Sequence, residues 1–293
     1  VMTTLDGYPM ASAGRPGRAL GLGIGASLVG GLISWLALWQ LSEPMADWST
    51  KLGPFELFSL VALALALLAG VGETTRARGL LAGGLGVLAA MPGMHPATGE
   101  LRWTFGLTEM NEGFRLIPVL IGMFAIGKIL EDVMGKETKV ETVSGDDSPF
   151  IPLGTWKKQI VNLLRSSGIG TLIGVLPGVG ANIGSLAAYV SAKRASKNPE
   201  EFGKGSEEGI VASESANNAT VGGALIPLIA LGIPGSVIGA VLLGALIFHG
   251  LIPGPLLFRK DPWAVHAIIG TVLVANVMMY FIMLCGARWI ARL

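Results

Sequence analysis

Leu176-Pro-Gly-Val-Gly-Ala-Asn182, Glu214-Ser-Ala-Asn-Asn-Ala-Thr220 and Gly232-Ile-Pro-Gly-Ser236 interrupt one long apolar stretch, Gly168–Pro255. The flanking residues suit lipid, while Pro, Gly and Asn are residues that break helices. A bilayer core has no water for freed N–H and C=O groups. Irregular backbone at that depth survives only when packed in protein or lining a cavity. Secondary transporters use broken helices to build midplane sites for anions and ions. The three clusters therefore predict a membrane carrier, not an enzyme.

Composition agrees. Of 293 residues 51% are hydrophobic and 14% charged, and the mean hydropathy is +0.62. A soluble domain carries about 25% charge. The class is an all-α polytopic membrane protein with broken helices, re-entrant hairpins and inverted repeats. A net charge of +1 and the lack of a basic patch interleaved with aromatics argue against nucleic acid. The one cysteine, Cys285, excludes an intrachain disulfide. Glycine is abundant, at 43 residues. Spacings such as Gly21/Gly25, Gly79/Gly83, Gly170/Gly174, Gly180/Gly184 and Gly235/Gly239 fit close helix approach.

Expected spans are Ala19–Leu41, Pro54–Gly72, Leu116–Leu130 and Ala264–Ala287, with Gly79–Met91 short or tilted. Trp156–Arg165 reads as an interfacial amphipathic helix. Ile210–Leu251 is long enough for two crossings, or for one broken crossing and a hairpin. Three regions follow: helices over 1–134, a charged linker and interfacial helix over 135–166, and broken helices over 167–293. Most Lys and Arg fall on one side if Gly168–Val190 dips in and returns, because Lys193–Lys204 then stays with Arg15, Arg18, Lys157 and Lys158. Val1–Gly7 aligns faintly with Ile238–Gly244, hinting at duplicated halves. The ends of the chain read as those of an internal fragment, and Asp6 is expected to contact a hairpin upstream of it.

Several motifs are recognisable. Gly174-Val-Leu-Pro-Gly-Val-Gly-Ala-Asn182, Glu201-Phe-Gly-Lys-Gly-Ser-Glu-Glu-Gly209, Glu214-Ser-Ala-Asn-Asn-Ala219, Leu231-Gly-Ile-Pro-Gly-Ser236 and Gly250-Leu-Ile-Pro-Gly-Pro255 resemble the large membrane subunit of tripartite tricarboxylate transporters, TctA. Leu5-Asp-Gly-Tyr-Pro-Met10, Gly17-Arg-Ala-Leu20 and Thr98-Gly-Glu-Leu-Arg-Trp-Thr-Phe-Gly106 resemble it too. Members of that family are longer, and many carry Pro where this chain has Ser213. The resemblance implies an inner-membrane carrier of citrate-like carboxylates, driven by an ion gradient. It also implies a small membrane subunit and a periplasmic substrate-binding protein as partners.

A carboxylate leaving water needs replacement donors, and a half-helix N-terminus supplies N–H groups and a favourable dipole. Gly178, Gly180 and Gly235 let backbone approach an oxygen; Pro177 and Pro234 aim the chain. Ala181 completes the small turn, and Asn182, Ser185, Ser215, Asn217, Asn218, Thr220 and Ser236 add neutral donors and acceptors. These thirteen positions form the expected substrate site. A coupling ion, Na+ or H+, is expected, with Na+ near Asn182, Asn217 and Asn218; no organic cofactor is. The competing reading for each residue is tight packing or helix capping. Glu214 reads as a structural residue that caps a turn or pairs with a Lys. His95, His249 and His266 are scattered, which disfavours a metal centre. Gly178–Gly184 misses the dinucleotide fingerprint by one residue and follows no strand. Two other readings are a non-transporting scaffold that anchors partners and an intramembrane enzyme.

Overall fold

The computed structural model describes residues 2–53, 55–56, 58–59, 62–63, 76–95, 99–114, 118–119, 121–134, 147–176 and 179–290. Pro177 and Gly178 lie outside the described residues, as do most of the expected span Pro54–Gly72 and of the charged linker. Among the described residues the fold is all-α apart from one small antiparallel pair, Gly93–Met94 with Leu101–Arg102.

A long helix α2 (Pro16–Ser49) follows a short one, α1 (Thr4–Ser12). Helix α3 (Arg76–Ala89) precedes the strand pair, and α4 (Gly127–Met134) follows a π-helical stretch at Ile121–Ile126. The second half comprises α5 (Leu153–Val175), α6 (Gly180–Ala195), α7 (Glu207–Leu231), α8 (Val237–Phe248), α9 (Pro255–Lys260) and α10 (Pro262–Ile290). Among the described residues, Pro16–Ser49 and Pro262–Ala287 are long and apolar enough to cross a membrane. They match the expected first and last spans.

Helix α7 is the axis of the molecule. Eighteen of its 25 residues are buried, between α2, α5 and α6. This corrects one sequence expectation: Glu214–Thr220 is not a break but the middle of a continuous helix. Its hydroxyls explain the difference. Ser213 Oγ donates to the Gly209 carbonyl, Ser215 Oγ to Ala212, and Thr220 Oγ1 to Ala216. Each side chain folds back onto its own helix and leaves the ladder intact.

Small residues set how closely these helices approach. A Cβ on Gly30 of α2 would lie 2.1 Å from the Ser215 carbonyl oxygen, and one on Gly170 of α5 2.3 Å from that of Ala216. Without side chains between them the backbones touch, as lipid-embedded helices require for association. Gly23, Ser27, Gly30 and Ser34 form the stripe of α2 that faces α7. Arg18 meets Glu207, Ser27 meets Glu214 and Ser34 abuts Gly222, so α2 and α7 run parallel. Trp35 Nε1 donates to the Ile269 carbonyl and Asn276 Nδ2 to that of Leu28, so α10 runs antiparallel to α2.

Helix α5 is polar inside and apolar outside. Gln159, Asn162, Ser166, Ser167 and Thr171 are buried, while Ile160, Val161, Leu164 and Leu172 are exposed. Asn162 organises the interior: its Nδ2 donates to Gln159 and to the Glu208 carbonyl, and its Oδ1 accepts from Arg165 and Ser166. Such inversion of the soluble pattern suits apolar surroundings. Trp156–Arg165 is the first part of this uninterrupted helix rather than a separate element. Helix α6 returns antiparallel to α5, with Gly184 opposite Gly170. The N-terminal ends of α2, α5 and α7 and the C-terminal ends of α6 and α10 therefore share one end of the bundle. That end carries Arg15, Arg18, Lys157, Lys158, Lys193, Arg194, Lys197 and Lys204, the distribution expected of a cytoplasmic face.

Asp147 ties the linker's end to α2. Its Oδ1 accepts from the Gly17 N–H at 2.7 Å and its Oδ2 from the Arg18 N–H at 2.8 Å. This is an N-cap supplied from a distant segment. Asp147→Ala should destabilise the protein by about 1 kcal/mol, read as a lower thermal midpoint of the detergent-solubilised full-length protein.

Candidate functional site

Two interruptions remain after α7 is read as continuous: one between the end of α5 at Val175 and the start of α6 at Gly180, and Gly232–Ser236 between α7 and α8. They lie side by side. A Cβ on Gly235 would sit 3.4 Å from the Gly174 carbonyl oxygen and 3.4 Å from Ala224 Cβ. Gly174 in turn packs on Thr220, Gly223 and Ala224. Gly222 is opposite Ser34, near the midpoint of the 34-residue α2. At 1.5 Å per residue Ser34 lies roughly 27 Å from Pro16, so the α5–α6 break stands level with the middle of the longest span.

Local chemistry explains each break. Gly232 adopts a left-handed conformation, φ 72°, and its N–H and that of Ile233 turn back to the Leu228 and Pro227 carbonyls, closing α7. The Gly250–Gly254 loop covers this end: the Gly254 N–H reaches the Ile229 carbonyl at 2.9 Å. Ser236 then caps α8 by accepting from the Gly239 N–H at 3.1 Å. Helix α6 starts differently. Gly180 has φ +74°, and no side chain accepts from the first N–H groups of the helix. Among the described residues the positive end of α6 thus has no side-chain cap.

The expected site residues divide into three groups. Gly180, Ala181 and Asn182 form the first turn of α6, with Asn182 exposed, and Pro234, Gly235 and Ser236 form the neighbouring break. Ser185, Ser215 and Thr220 are buried and bonded to backbone: Ser185 Oγ donates to the Ser213 carbonyl and Thr220 Oγ1 also to that of Gly170. The Ser185 and Thr220 hydroxyls join helices, while that of Ser215 stays on its own helix, on the Ala212 carbonyl. Asn217 and Asn218 lie on the one strip of mid-α7 that is not fully buried, together with Glu214 and Val221. Asn218 Nδ2 donates to Ser27 Oγ at 2.7 Å, toward α2 and not toward Asn182.

Glu214 also differs from expectation. Its partners are the Thr3 and Ser27 hydroxyls, with no Lys among the described residues. Thr3 and Ser27 were not singled out from sequence. The signal available for Ser27 was its place in the Gly23-Ser27-Gly30-Ser34 stripe; Thr3 had none. Asp6 is fully buried and faces the turn before α7: its Oδ1 accepts from the N–H groups of Gly203, Gly205 and Ser206. Its Oδ1 is thus occupied within the described chain.

Comparison with known proteins gives a consistent picture. The family described as "Tripartite tricarboxylate transporter TctA family" matches residues 1–293. An uncharacterized 52.8 kDa protein in the TAR-I ttuC' 3'region of Agrobacterium vitis is 32% identical over 280 residues, which are 95% of this chain and 55% of that protein. An uncharacterized protein in the TAR-II ttuC' 3'region of the same organism is 43% identical over 110 residues, 38% of this chain and 46% of that protein. The chain thus spans about half the length of the curated relatives it matches. No solved structure matches.

Proposed function

Because the chain belongs to the tripartite tricarboxylate transporter TctA family, we propose that it forms the translocation core of the large membrane subunit of an ion-coupled carboxylate uptake system. The substrates are tricarboxylates of the citrate type or related carboxylates. The partners are a small membrane subunit and a periplasmic binding protein, and the setting is the bacterial inner membrane. The observation that carries this reading is the packing of Gly235, in the α7–α8 break, against Gly174 near the end of α5, together with the start of α6, which has no side-chain cap among the described residues. A dehydrated carboxylate finds backbone N–H groups and a positive helix end there. Gly235 leaves the approach open, and the Asn182 amide adds a neutral donor at the mouth. Neutral donors bind an anion without holding it permanently, as a carrier requires.

The antiparallel pairing of α2 with α10 supports the proposed repeat. Each follows shorter helical segments, α1 before α2, and α8 and α9 before α10. Inverted repeats of this kind permit alternating access around a central site. The α5–α6 hairpin is the proposed re-entrant element, its tip bearing the substrate contacts.

The test is uptake of radiolabelled mono-, di- and tricarboxylates into vesicles bearing the full-length protein and both partners. Asn182→Ala should lower uptake of the preferred carboxylate at least tenfold, equivalent to about 1.4 kcal/mol, with insertion and expression unchanged. A scaffold that only anchors partners predicts normal uptake in Asn182→Ala and Asn217→Ala; that result would reject the carrier reading.

A further inference from the structure

We infer that Thr3, Ser27, Glu214 and Asn218 form a binding site for a coupling Na+ ion; the word coupling rests on the carrier reading above. Glu214 accepts from Thr3 Oγ1 at 2.5 Å on one carboxylate oxygen and from Ser27 Oγ at 3.1 Å on the other. Asn218 Nδ2 donates to the same Ser27 hydroxyl at 2.7 Å. These groups come from three elements: the start of α1, the middle of α2 and the middle of α7. Gly23 stands beside the Glu214 side chain and adds no bulk there.

The cluster has a charge problem. Ser27 lies within the apolar span of α2, about 16 Å from Pro16, and Glu214 faces it. Among the described residues no Lys or Arg pairs with Glu214; Arg18 is taken by Glu207. Hydroxyl donors orient a carboxylate but do not neutralise it. An uncompensated carboxylate at membrane depth is costly, and such residues characteristically mark ion pathways. One positive charge would balance it.

The donor set selects the ion. It offers hard oxygen only: one carboxylate and two hydroxyls, with the Asn218 amide NH2 held on Ser27 Oγ and on the Glu214 carbonyl beside them. No three His, Cys, Asp or Glu converge among the described residues, so a transition metal has no ligands here. A single carboxylate matches a monovalent rather than a divalent cation. Each hydroxyl can rotate its lone pairs toward an ion between Thr3, Ser27 and Glu214. The site lies roughly 10 Å, two helical turns, from the level of the breaks, near enough for a bound cation to attract an anion there. It also joins α1 to α7, so ion occupancy would fix one helix against the other.

The experiment measures Na+ alone, with no carboxylate present. Thermal midpoints of the purified full-length subunit are compared in NaCl, KCl and choline chloride at fixed pH and ionic strength. Na+ should raise the wild-type midpoint, with K+ and choline matching each other. Glu214→Gln should weaken the half-saturating Na+ concentration at least tenfold, and Ser27→Ala and Thr3→Val severalfold each. Equal midpoints in Na+ and choline, an unchanged Na+ response in Glu214→Gln, or a response to pH in place of Na+ would overturn the site. If Glu214→Gln fails to fold, as its melt in choline would reveal, unchanged Na+ affinity in both Ser27→Ala and Thr3→Val overturns it instead. Failure of the carrier reading looks different: Na+ stabilisation that follows Glu214, with vesicles that take up no carboxylate.

Discussion

Gly174→Leu should leave the full-length protein unable to assemble its central bundle. A Cβ at this position would lie 2.4 Å from the Thr220 carbonyl oxygen, 3.0 Å from the Ala224 nitrogen and 3.0 Å from Gly223 Cα. All three are backbone atoms of α7, so no rotamer change relieves the overlap. Helix α5 would have to move off α7. The Thr220–Gly170 hydrogen bond would then break, and Gly235 would lose its seat against Gly174. Overpacking a well-filled interior costs about 1–3 kcal/mol and occasionally more. Here backbone meets backbone, and the loss should exceed about 3 kcal/mol. Size-exclusion chromatography of the solubilised protein reads the result as loss of the monodisperse peak. Gly83→Leu is the control, because a Cβ there meets nothing within 4 Å. Equal profiles for the two variants would contradict the packing described.

The contrast between Gly174 and Gly83 shows what sequence carries. Both belong to pairs four residues apart, and the spacing is identical. Gly170 and Gly174 face the α7 backbone, whereas Gly83 faces open space. Spacing announces that a helix could be approached closely; only the partner decides whether it is. The same limit explains Glu214–Thr220. Ser, Asn and Thr are good turn formers, and in a row they resemble a break. Embedded in α7 they have no water to compete for their hydroxyls, so the nearest acceptors are the carbonyls one turn back. Apolar surroundings reinforced the helix that composition argued against. The Gly-Ile-Pro-Gly cluster was legible because Pro and left-handed Gly act through backbone geometry, which no neighbour can override.

Of the candidate site, the part built from backbone was legible and the part built from side chains was not. Gly235, in the Gly232–Ser236 break, packs against Gly174 near the end of α5. Ser185, Ser215 and Thr220 share the composition of a binding site, but the hydroxyls of Ser185 and Thr220 fasten helices and that of Ser215 folds back onto its own. Glu214 and Asn218 find partners 187 or more residues away in sequence, at Ser27 and Thr3. Periodicity along one helix carries no record of which face of another it will meet. The polar interior of α5 was hidden for a related reason. Trp156, Ile160 and Leu164 look like one core-facing stripe in water; here Trp156 packs on Gly25 of α2, while Ile160 and Leu164 face outward.

Asp6→Ala should be the most damaging polar substitution in the molecule. Asp6 Oδ1 accepts three backbone N–H groups, from Gly203 at 2.7 Å, Gly205 at 3.0 Å and Ser206 at 2.8 Å. Those donors converge because Gly203 and Gly205 take positive φ values of 87° and 105°, open to glycine and strained for other residues. The turn thus forms a small anion nest, and the chain fills it with its own carboxylate. The other oxygen sits against Gly209, where a Cβ would lie within 2.1 Å of it and 2.9 Å from the Tyr189 ring. Removing the carboxylate strands three donors in a buried turn that also starts α7. Each unsatisfied group costs about 1–3 kcal/mol, so the total should reach at least about 3 kcal/mol. Asp6→Asn keeps one acceptor oxygen and should fall between Ala and wild type. Gly209→Ala should destabilise through the same contact from the opposite side, by driving Asp6 away from the nest. Thermal melts of the three variants in one detergent test the ordering. If Asp6→Ala and Asp6→Asn melt together near wild type, the nest does not hold the start of α7, and α1 would be free to move independently of it.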